Sequence, residues 1–398
     1  MRDDLNLRMK KIAILSFHFE ESTLCLAKHI AKQGVLVDFY SINNPASHGH
    51  KAGFEFWRAK IHWGVQLLNR EEIPEISYYM DNLPVRLYLV TYSSSRRYSY
   101  LGLDKLTLWR ACKMICHNHY DAINIVGQAD LVKNCHRYLK GENITHTYHE
   151  IGSHQDGISA TPSVTISIKD KTKVIIHSQH TCERYLYLPD VDKNRVKVIP
   201  FGRFETLKLY VKDVKMDVPL DLQKPTFLFY GMIRPYKGLD VLADAVKILK
   251  PYHYRFNLII AGGGKDDSLC YFQSLNNCYI YNKYLRNDEM MHLIQMSSVV
   301  VLPYHSASQT GIIPTVALYG KPVIASAVGA LPEVVEHNIN GILVEKDNPI
   351  AFAAAMRRCI EDKDYLTLLC KGMCRFGNSD KWDWDNIAAQ TLSFILSL

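Results

Sequence analysis

The sequence predicts an α/β protein of two successive domains, each a doubly wound parallel sheet, that face each other across a cleft. Three observations lead to this fold class. The chain has 398 residues, which is too long for a single hydrophobic core. A strand–helix–strand unit opens the first half. A second series of buried strands and amphipathic helices begins at Thr226, after an irregular stretch.

The first half begins with the apolar run 11–17, which is typical of a buried parallel strand. Apolar residues with helical spacing follow over residues 22–33, and Gly34 is placed to end that helix. Residues 35–42 form the second predicted strand. Five more strands are predicted in this half, at 85–90, 122–126, 143–148, 173–177 and 195–199.

Two segments of the first half, residues 47–72 and 91–119, interrupt this alternation and are rich in aromatic and basic residues. Such stretches can lie at a membrane interface, and they also resemble ordinary helices packed on a sheet. The net charge is +7, and residues 1–200 hold 26 Lys and Arg against 20 Asp and Glu. A solvated basic face explains this excess, and so does an anionic membrane surface or a phosphate-bearing acceptor. The small excess and the lack of a base-stacking motif argue against nucleic-acid binding.

The second half follows a linker, because residues 205–225 lose the apolar pattern and end in Pro225. We assign residues 1–204 to the first domain, 226–380 to the second, and 381–398 to a separate C-terminal helix. The predicted strands are 226–230, 257–261, 279–281, 299–303, 322–326 and 341–344. The predicted helices are 238–250, 287–296, 311–319 and 349–361.

Composition and cysteine usage indicate a cytoplasmic protein. No apolar run approaches the ~18 residues that a membrane span needs, and no apolar segment before Ile12 resembles a signal peptide. The ten cysteines form no regular framework. The pairs Cys112–Cys116 and Cys370–Cys374 suit buried thiols on one helix face better than zinc ligands. We expect reduced cysteines and no metal site.

A glycine-containing turn follows the first strand of the second domain, over residues 231–238 (GMIRPYKG). Gly231 permits a close approach of the backbone. Arg234 and Lys237 place two cations at the carboxyl edge of the sheet, where open α/β sheets bind ligands. A guanidinium and an ammonium there can neutralise a diphosphate. Two solvated loop cations are the alternative, and the grouping of these residues on one turn favours binding.

A second turn of the same kind lies between the strand 299–303 and the helix 311–319. Pro314 is tolerated only in the first turn of that helix. The backbone N–H groups of residues 310–312 are therefore available to an anion or to sugar oxygens, although a capped helix without a ligand would look the same. Two anion-binding turns in one sheet predict a diphosphate ligand, and a nucleotide-sugar is the simplest one.

Further candidates lie just after strands. Glu333 either neutralises a helix N-terminus or binds sugar or ribose hydroxyls, and the sequence leaves both roles open. His149, followed by Glu150, ends a first-domain strand that would face the cleft. There the histidine either exchanges a hydrogen bond with a sugar or phosphate, or serves the structure. Glu20 and Glu21 are weaker candidates for contacting an acceptor hydroxyl.

Together these motifs resemble the family-4 retaining glycosyltransferases, which have two Rossmann-like domains in the architecture termed GT-B. The similar second-half segments are FLFYGMIRPYKGLDVLADAVKIL (227–249), LIIAGGG (258–264), VVVLPYHSASQTGIIPTVALYGKPVIASAVGALPE (299–333) and NGILVEKDNP (340–349). Those of the first half are TYHEIG (147–152), VIIHSQHT (174–181) and VKVIPFG (196–202). The tail 381–395 resembles the terminal helix that returns to the first domain in this family.

The resemblance implies a nucleotide-sugar donor on the second domain, an acceptor mainly on the first, and retention of anomeric configuration. It matches Lys237 and Arg234 to the cations on the donor diphosphate. It matches residues 310–312 (Thr310, Gly311 and Ile312) to the turn that meets the donor sugar and phosphate. His149 matches the first-domain histidine that lines the cleft.

Two departures from the family pattern concern the donor site. Ala307 and Thr315 stand where the family usually has a pair of glutamates, so ribose recognition by glutamate is not assumed. Met232 stands at the usual arginine position, and Arg234 is the nearest cation. The turn Gln309-Thr310-Gly311 fits a subset of the family with a Ser-Gln-Ser/Thr-Gly turn, which makes Gln309 a further donor-binding candidate.

We therefore expect a cytoplasmic hexosyltransferase associated with the inner face of the cell membrane. It would move a hexose-type sugar from a UDP- or GDP-linked donor to a glycan acceptor, lipid-linked, in surface polysaccharide or glycolipid synthesis. We expect no cofactor, because the nucleotide-sugar is a substrate and protein cations neutralise the leaving group. A nucleotide-sugar-binding protein without turnover and a nucleotide-sugar epimerase of the same fold are the alternatives.

Overall fold

The structure is a computed structural model that describes residues 8–17, 20–43, 63–91, 102–127, 131–151, 161–210, 214, 216, 218–308 and 311–397. Its first sheet contains β1 Lys11–Ser16, β2 Leu36–Asn43, β3 Gly64–Leu67, β4 Val85–Thr91, β5 Ala122–Val126, β6 Ile144–Tyr148, β7 Lys173–Ile176 and β8 Val196–Val198. The helices around it are α1 Glu20–Ala31, α2 Pro74–Met80, α3 Leu103–His117, α4 Val132–Tyr138, α5 Pro162–Lys169 and α6 Gln179–Leu186.

The second sheet contains β9 Thr226–Tyr230, β10 Asn257–Ala261, β11 Cys278–Tyr281, β12 Val299–Leu302, β13 Val323–Ser326 and β14 Gly341–Val344. The remaining helices are α7 Leu239–Ile248, α8 Leu269–Gln273, α9 Asn287–Met296, α10 Ile312–Ala317, α11 Pro349–Glu361, α12 Lys363–Gly377 and α13 Trp384–Leu396. The strand order is β3-β4-β2-β1-β5-β6-β7-β8 in the first sheet and β11-β10-β9-β12-β13-β14 in the second.

Both sheets are parallel apart from the edge strand β3, which runs antiparallel to β4. The α/β fold class is therefore confirmed, and each predicted strand is present with ends that differ by at most one residue. The sequence did not predict β3, because its four residues are mostly half-buried and form no continuous apolar run. Residues 44–62 and 92–101, which include much of the two aromatic, basic segments, lie outside the described residues.

Buried apolar residues cover both faces of each sheet. In the first sheet Ile14 and Phe39 pack into one core cluster, whereas their neighbours Leu15 and Tyr40 pack into the cluster on the opposite face. Strands whose side chains are buried on both sides read as continuous apolar runs, which is why the sequence revealed them. No helix of the described residues combines the length and apolarity needed to cross a bilayer.

The C-terminal helix α13 lies on the first domain. Its residues Trp384, Ile387 and Ile395 belong to the same core cluster as α1. Helix α12 was not predicted, although its buried residues Leu369 and Met373 have helical spacing. The domain and linker boundaries drawn from the sequence remain predictions.

The chain passes between the two domains twice, near residues 199–205 and again near residues 378–383. Arg203 joins the two crossings. Its Nη1 donates to the carbonyl oxygen of Gly377 at 2.6 Å, and its own carbonyl oxygen accepts the indole N–H of Trp384 at 2.5 Å. Arg203 therefore connects the two crossings through both its side chain and its backbone.

Candidate functional site

The loop of residues 231–238 begins where β9 ends, and its shape depends on glycine at both ends. Gly231 has φ +112°, and Gly238 has φ +65°. A Cβ atom on Gly238 would lie 1.9 Å from the carbonyl oxygen of Pro303, so only glycine fits there. This contact presses the start of α7 against the end of β12 and brings the two predicted binding turns to one sheet edge.

The glycines that follow β10 pack against this loop, so their role is structural. A Cβ atom on Gly262 would lie 1.8 Å from the carbonyl oxygen of Gly231, and one on Gly264 would lie 2.2 Å from that of Ile233. Gly264 and Ile233 form a parallel β-bridge. The loop of residues 231–238 is thus fixed from two sides before any ligand binds.

Lys237 holds its ammonium at the centre of this edge. Its Nζ donates to the hydroxyl oxygen of Tyr304 at 2.8 Å and lies 4.5 Å from the centroid of that ring. The space above Gly231 makes room for it, because a Cβ atom there would lie 3.4 Å from Nζ. Burial lowers the pKa of Lys237, and the charges of Tyr236 and Glu150 oppose this effect. A buried ammonium gains strongly from an anionic ligand.

Arg234 begins the short 3-10 turn Pro235–Lys237 and is exposed. Its guanidinium has no salt bridge and no hydrogen bond to any of the described residues. The two cations that the sequence singled out therefore differ: Lys237 is half-buried and held, whereas Arg234 is free to move toward a ligand.

Only part of the second predicted turn can be placed, because Gln309 and Thr310 lie outside the described residues. Gly311 precedes α10, and a Cβ atom on it would lie 2.9 Å from the ring of Phe204. Ile312 is the first residue of α10, which ends at Ala317 and is shorter than the predicted helix.

The two positions where the resembled family has glutamates are buried here. Thr315 is 3% exposed, and its hydroxyl donates to the carbonyl oxygen of Gly311 at 2.7 Å. Ala307 is 6% exposed, and its carbonyl oxygen lies where a Cβ of Gly329 would be. Neither position offers a polar group that is free to contact a ligand.

His149 lies at the end of β6, buried between other rings. Its centroid is 4.9 Å from the rings of both His177 and Phe201. Burial, with help from His177, moves the pKa of His149 well below its ordinary value, so this imidazole is neutral. The next residue, Glu150, acts electrostatically on Lys237. This places the end of β6 opposite the loop of residues 231–238, as the sequence predicted.

Glu333 binds a helix end across the domain interface. Its two carboxylate oxygens accept the backbone N–H groups of Gln179 at 2.8 Å and of His180 at 2.7 Å, at the start of α6. The sequence left two roles open for Glu333, a helix N-terminus and sugar or ribose hydroxyls. In the structure Glu333 binds a helix N-terminus, and that helix belongs to the first domain. A donor-binding role for Glu333 would require these hydrogen bonds to open and stays a prediction.

Glu20 and Glu21 begin α1, at the carboxyl end of β1. Glu20 accepts a hydrogen bond from the Ser41 hydroxyl at 3.0 Å, and burial raises its pKa. Burial and the charge of Glu20 raise the pKa of Glu21 to about 7, and the amide of Asn287 in the second domain opposes this shift. The carboxyl group of Glu21 therefore also faces the second domain.

Sequence reasoning missed two parts of this site: Tyr304 as the hydrogen-bond partner of Lys237, and the influence of Asn287 on Glu21. The position of Tyr304 just after β12 could have indicated that it lies near Lys237. No local pattern indicates that Asn287 lies near Glu21, because the two residues belong to different domains.

Comparison with known proteins gives the following matches. Residues 212–371 match the family model "Glycosyl transferases group 1". An uncharacterized glycosyltransferase of Methanocaldococcus jannaschii is 26% identical over 307 residues, which cover 74% of this chain and 76% of the relative. A D-inositol 3-phosphate glycosyltransferase of Corynebacterium glutamicum (strain R) is 23% identical over 397 residues, covering 93% and 89%. D-rhamnosyltransferase WbpZ of Pseudomonas aeruginosa is 32% identical over 138 residues, covering 33% and 35%.

Solved structures resemble both domains together. Sucrose-phosphate synthase from Thermosynechococcus elongatus superposes with a TM-score of 0.67 at 18% identity, covering 96% of this chain and 98% of that one. Anabaena HepE in complex with UDP-glucose gives a TM-score of 0.64 at 18% identity, covering 96% and 99%. These likenesses confirm the predicted fold of two parallel-sheet domains.

Proposed function

Residues 212–371 belong to the glycosyl transferases group 1 on a chain with the GT-B fold, and from this premise we propose a retaining hexosyltransferase. It transfers a hexose-type sugar from a UDP- or GDP-linked donor to a glycan acceptor. The observation that carries the proposal is the half-buried ammonium of Lys237, fixed by Tyr304 above Gly231 at the edge of the second sheet.

The donor diphosphate lies over Lys237 in this proposal, with Arg234 closing on it from the exposed side. Both cations neutralise the charge that develops as the bond from sugar to phosphate breaks. The acceptor hydroxyl attacks from the same face, and its proton passes to the departing phosphate oxygen. Closure of the two domains excludes water and strengthens these interactions. No cofactor takes part.

The comparisons support the donor class. HepE, whose fold this chain shares, is described in complex with UDP-glucose. One relative is named for a phosphorylated inositol and another for the rhamnosyl group that it transfers, so the names support no single acceptor and no single sugar. We propose a lipid-linked glycan acceptor in surface polysaccharide or glycolipid synthesis.

An anionic membrane surface is the second partner that we propose, at the cytoplasmic face of the cell membrane. The exposed face of α3 carries Leu106 and Trp109, each 41% exposed, among Lys105, Arg110 and Lys113. Apolar and basic side chains on one helix face suit the headgroup region of an anionic bilayer. Sedimentation with anionic vesicles should exceed that with neutral vesicles and should fall in Trp109→Ser, but not in Tyr254→Ser, which alters an exposed second-domain tyrosine.

Replacement of Lys237 tests the donor site directly. We expect Lys237→Ala to fold normally and to lose about 10²–10³-fold in turnover, the range seen when one stabilising group for a leaving charge is removed. Release of nucleoside diphosphate from UDP- and GDP-sugars is the assay. Lys247→Ala is the matched control, because that lysine is exposed and its salt bridge is to Asp244 of its own helix. Full activity of Lys237→Ala would contradict the proposal.

Two assays distinguish the two alternative activities, and the first is incubation of the donor without an acceptor. A change in the sugar of the donor would indicate an epimerase. Binding that raises the melting temperature, without release of nucleoside diphosphate in the presence of many acceptors, would indicate a binding protein.

A further inference from the structure

A second cavity lies between α6 of the first domain and three loops of the second. Its lining includes His180 and Arg184 of α6, the loop of residues 305–308, and Lys346 after β14. Its volume is about 260 Å³, slightly below the range of drug-sized ligand sites and enough for a small anionic group. None of its lining residues belongs to the loop of residues 231–238, so it does not contain the two cations proposed to bind the diphosphate.

The lining of this cavity is cationic. Arg184 follows His180 by four residues, so both side chains lie on one face of α6. The guanidinium of Arg184 makes no hydrogen bond and no salt bridge within the described part of the chain. The ammonium of Lys346 lies 3.7 Å from the carboxylate of Asp347. Arg184 therefore gives this interface a positive charge that no described carboxylate pairs.

Two carboxylates beside this cavity are already bound to the imidazole of His305. His305 Nδ1 lies 2.5 Å from Asp347 Oδ1, and its Nε2 lies 2.9 Å from Asp240 Oδ1. Burial disfavours the charged ring, but these two hydrogen bonds outweigh burial and raise the pKa of His305. Because both ring nitrogens can then donate, the imidazolium and the ammonium of Lys346 together compensate the two carboxylates.

A buried hydroxyl in the same cavity lacks a partner. Ser308 is only 8% exposed, and within the described residues its Oγ makes no hydrogen bond. Its carbonyl oxygen, by contrast, accepts from Ser178 Oγ at 3.3 Å and from Thr181 Oγ1 at 3.0 Å. A buried hydroxyl without a partner is unfavourable, and an acceptor atom from a ligand would satisfy it.

We propose that this cavity is a second anion site, in which Arg184 and Ser308 bind the phosphate or carboxylate of a sugar-sized ligand. The planar guanidinium fits such oxyanions through paired N–H groups, and the Ser308 hydroxyl donates to a third oxygen. The anion is either part of the acceptor or a separate small molecule. Since the ligand touches both domains, its binding stabilises the arrangement in which α6 meets the loop of residues 305–308.

Calorimetric titration with glucose 6-phosphate and with glucuronate tests the site, with glucose as the neutral control. We expect the wild type to bind at least one of the anions and not glucose. Arg184→Gln should weaken binding by about tenfold or more, as expected for a lost charge-assisted hydrogen bond. Arg357→Gln is the charge-matched control, because that arginine is exposed on α11.

Ser308→Ala gives an independent check that does not depend on charge. It removes a hydroxyl without a described partner, so the melting temperature should not fall, whereas the affinity for the anion should fall several-fold. Failure of both anions to bind the wild type, or affinities unchanged in both Arg184→Gln and Ser308→Ala, would overturn the proposal.

Lys237→Ala separates this site from the proposed donor site. We expect that variant to lose nucleotide-sugar binding and to keep the sugar anion, while Arg184→Gln should do the reverse. Anion binding lost in Lys237→Ala alone would place the anion in the diphosphate site and would also overturn the proposal. Transfer of labelled sugar onto glucose 6-phosphate identifies the ligand as an acceptor, and binding without transfer identifies a separate small molecule. Either result supports the site.

Discussion

The loop of residues 231–238 and the strand ends of the first domain face each other, but burial has different consequences in the two regions. In the loop, Lys237 is an ammonium whose pKa is lowered, with a hydroxyl as its hydrogen-bond partner. Across from it lie the neutral His149 and the carboxyl groups of Glu20 and Glu21, whose pKa values are raised. One side thus suits an anion, and the other suits neutral hydroxyls and the exchange of a proton.

The loop of residues 231–238 is tightly packed, so one added methyl group at Gly238 should destabilise it. We expect Gly238→Ala to be destabilised by about 2–4 kcal/mol, because its Cβ would collide with the carbonyl oxygen of Pro303 and its φ is positive. Gly34→Ala is the control, since its φ is also positive but nothing lies within 4 Å of the added atom. Chemical denaturation should show a loss near 1 kcal/mol there. Equal losses would mean that the contact with Pro303 does not matter.

The contact between Glu333 and the start of α6 joins the two domains, and its loss should have the next largest effect. Glu333→Gln removes the charge at a helix N-terminus and one of two acceptors, so we expect a loss of about 0.5–2 kcal/mol in unfolding free energy. Glu336→Gln is a nearby control, because its carboxylate has no hydrogen bond to the described residues. Small-angle scattering should show a wider separation of the domains in Glu333→Gln alone.

The smallest expected effect is a dependence of folding stability on pH. It comes from the carboxyl group of Glu21 in the first domain. The pKa of Glu21 is about 7 in the folded protein, above its ordinary value. The folded state therefore holds this proton more tightly than the unfolded chain, and its contribution to stability is lost as pH rises through about 7. Melting temperatures between pH 5 and pH 8 should fall less in Glu21→Gln than in the wild type. Parallel curves would show that Glu21 titrates normally.

Much of the fold and part of the site follow from local patterns. The strands are apolar runs buried on both faces, and the turn that holds Gly231, Arg234, Lys237 and Gly238 follows β9 directly, so the sequence predicted its place. The partners of these residues could not be predicted in the same way. Tyr304 reaches Lys237 from another strand, and Glu333 reaches α6 from 154 residues away along the chain. Short half-buried elements such as β3 carry too little apolar signal to be recognised.

The double crossing between the domains, joined through Arg203, limits how the two halves can move. A body attached at one point can turn in any direction, whereas one attached at two neighbouring points swings mainly about the line between them. Opening then follows one pivot axis, with its amplitude greatest far from Arg203. Removal of the tail from Trp384 onward would leave a single tether, and the halves would lose that common axis.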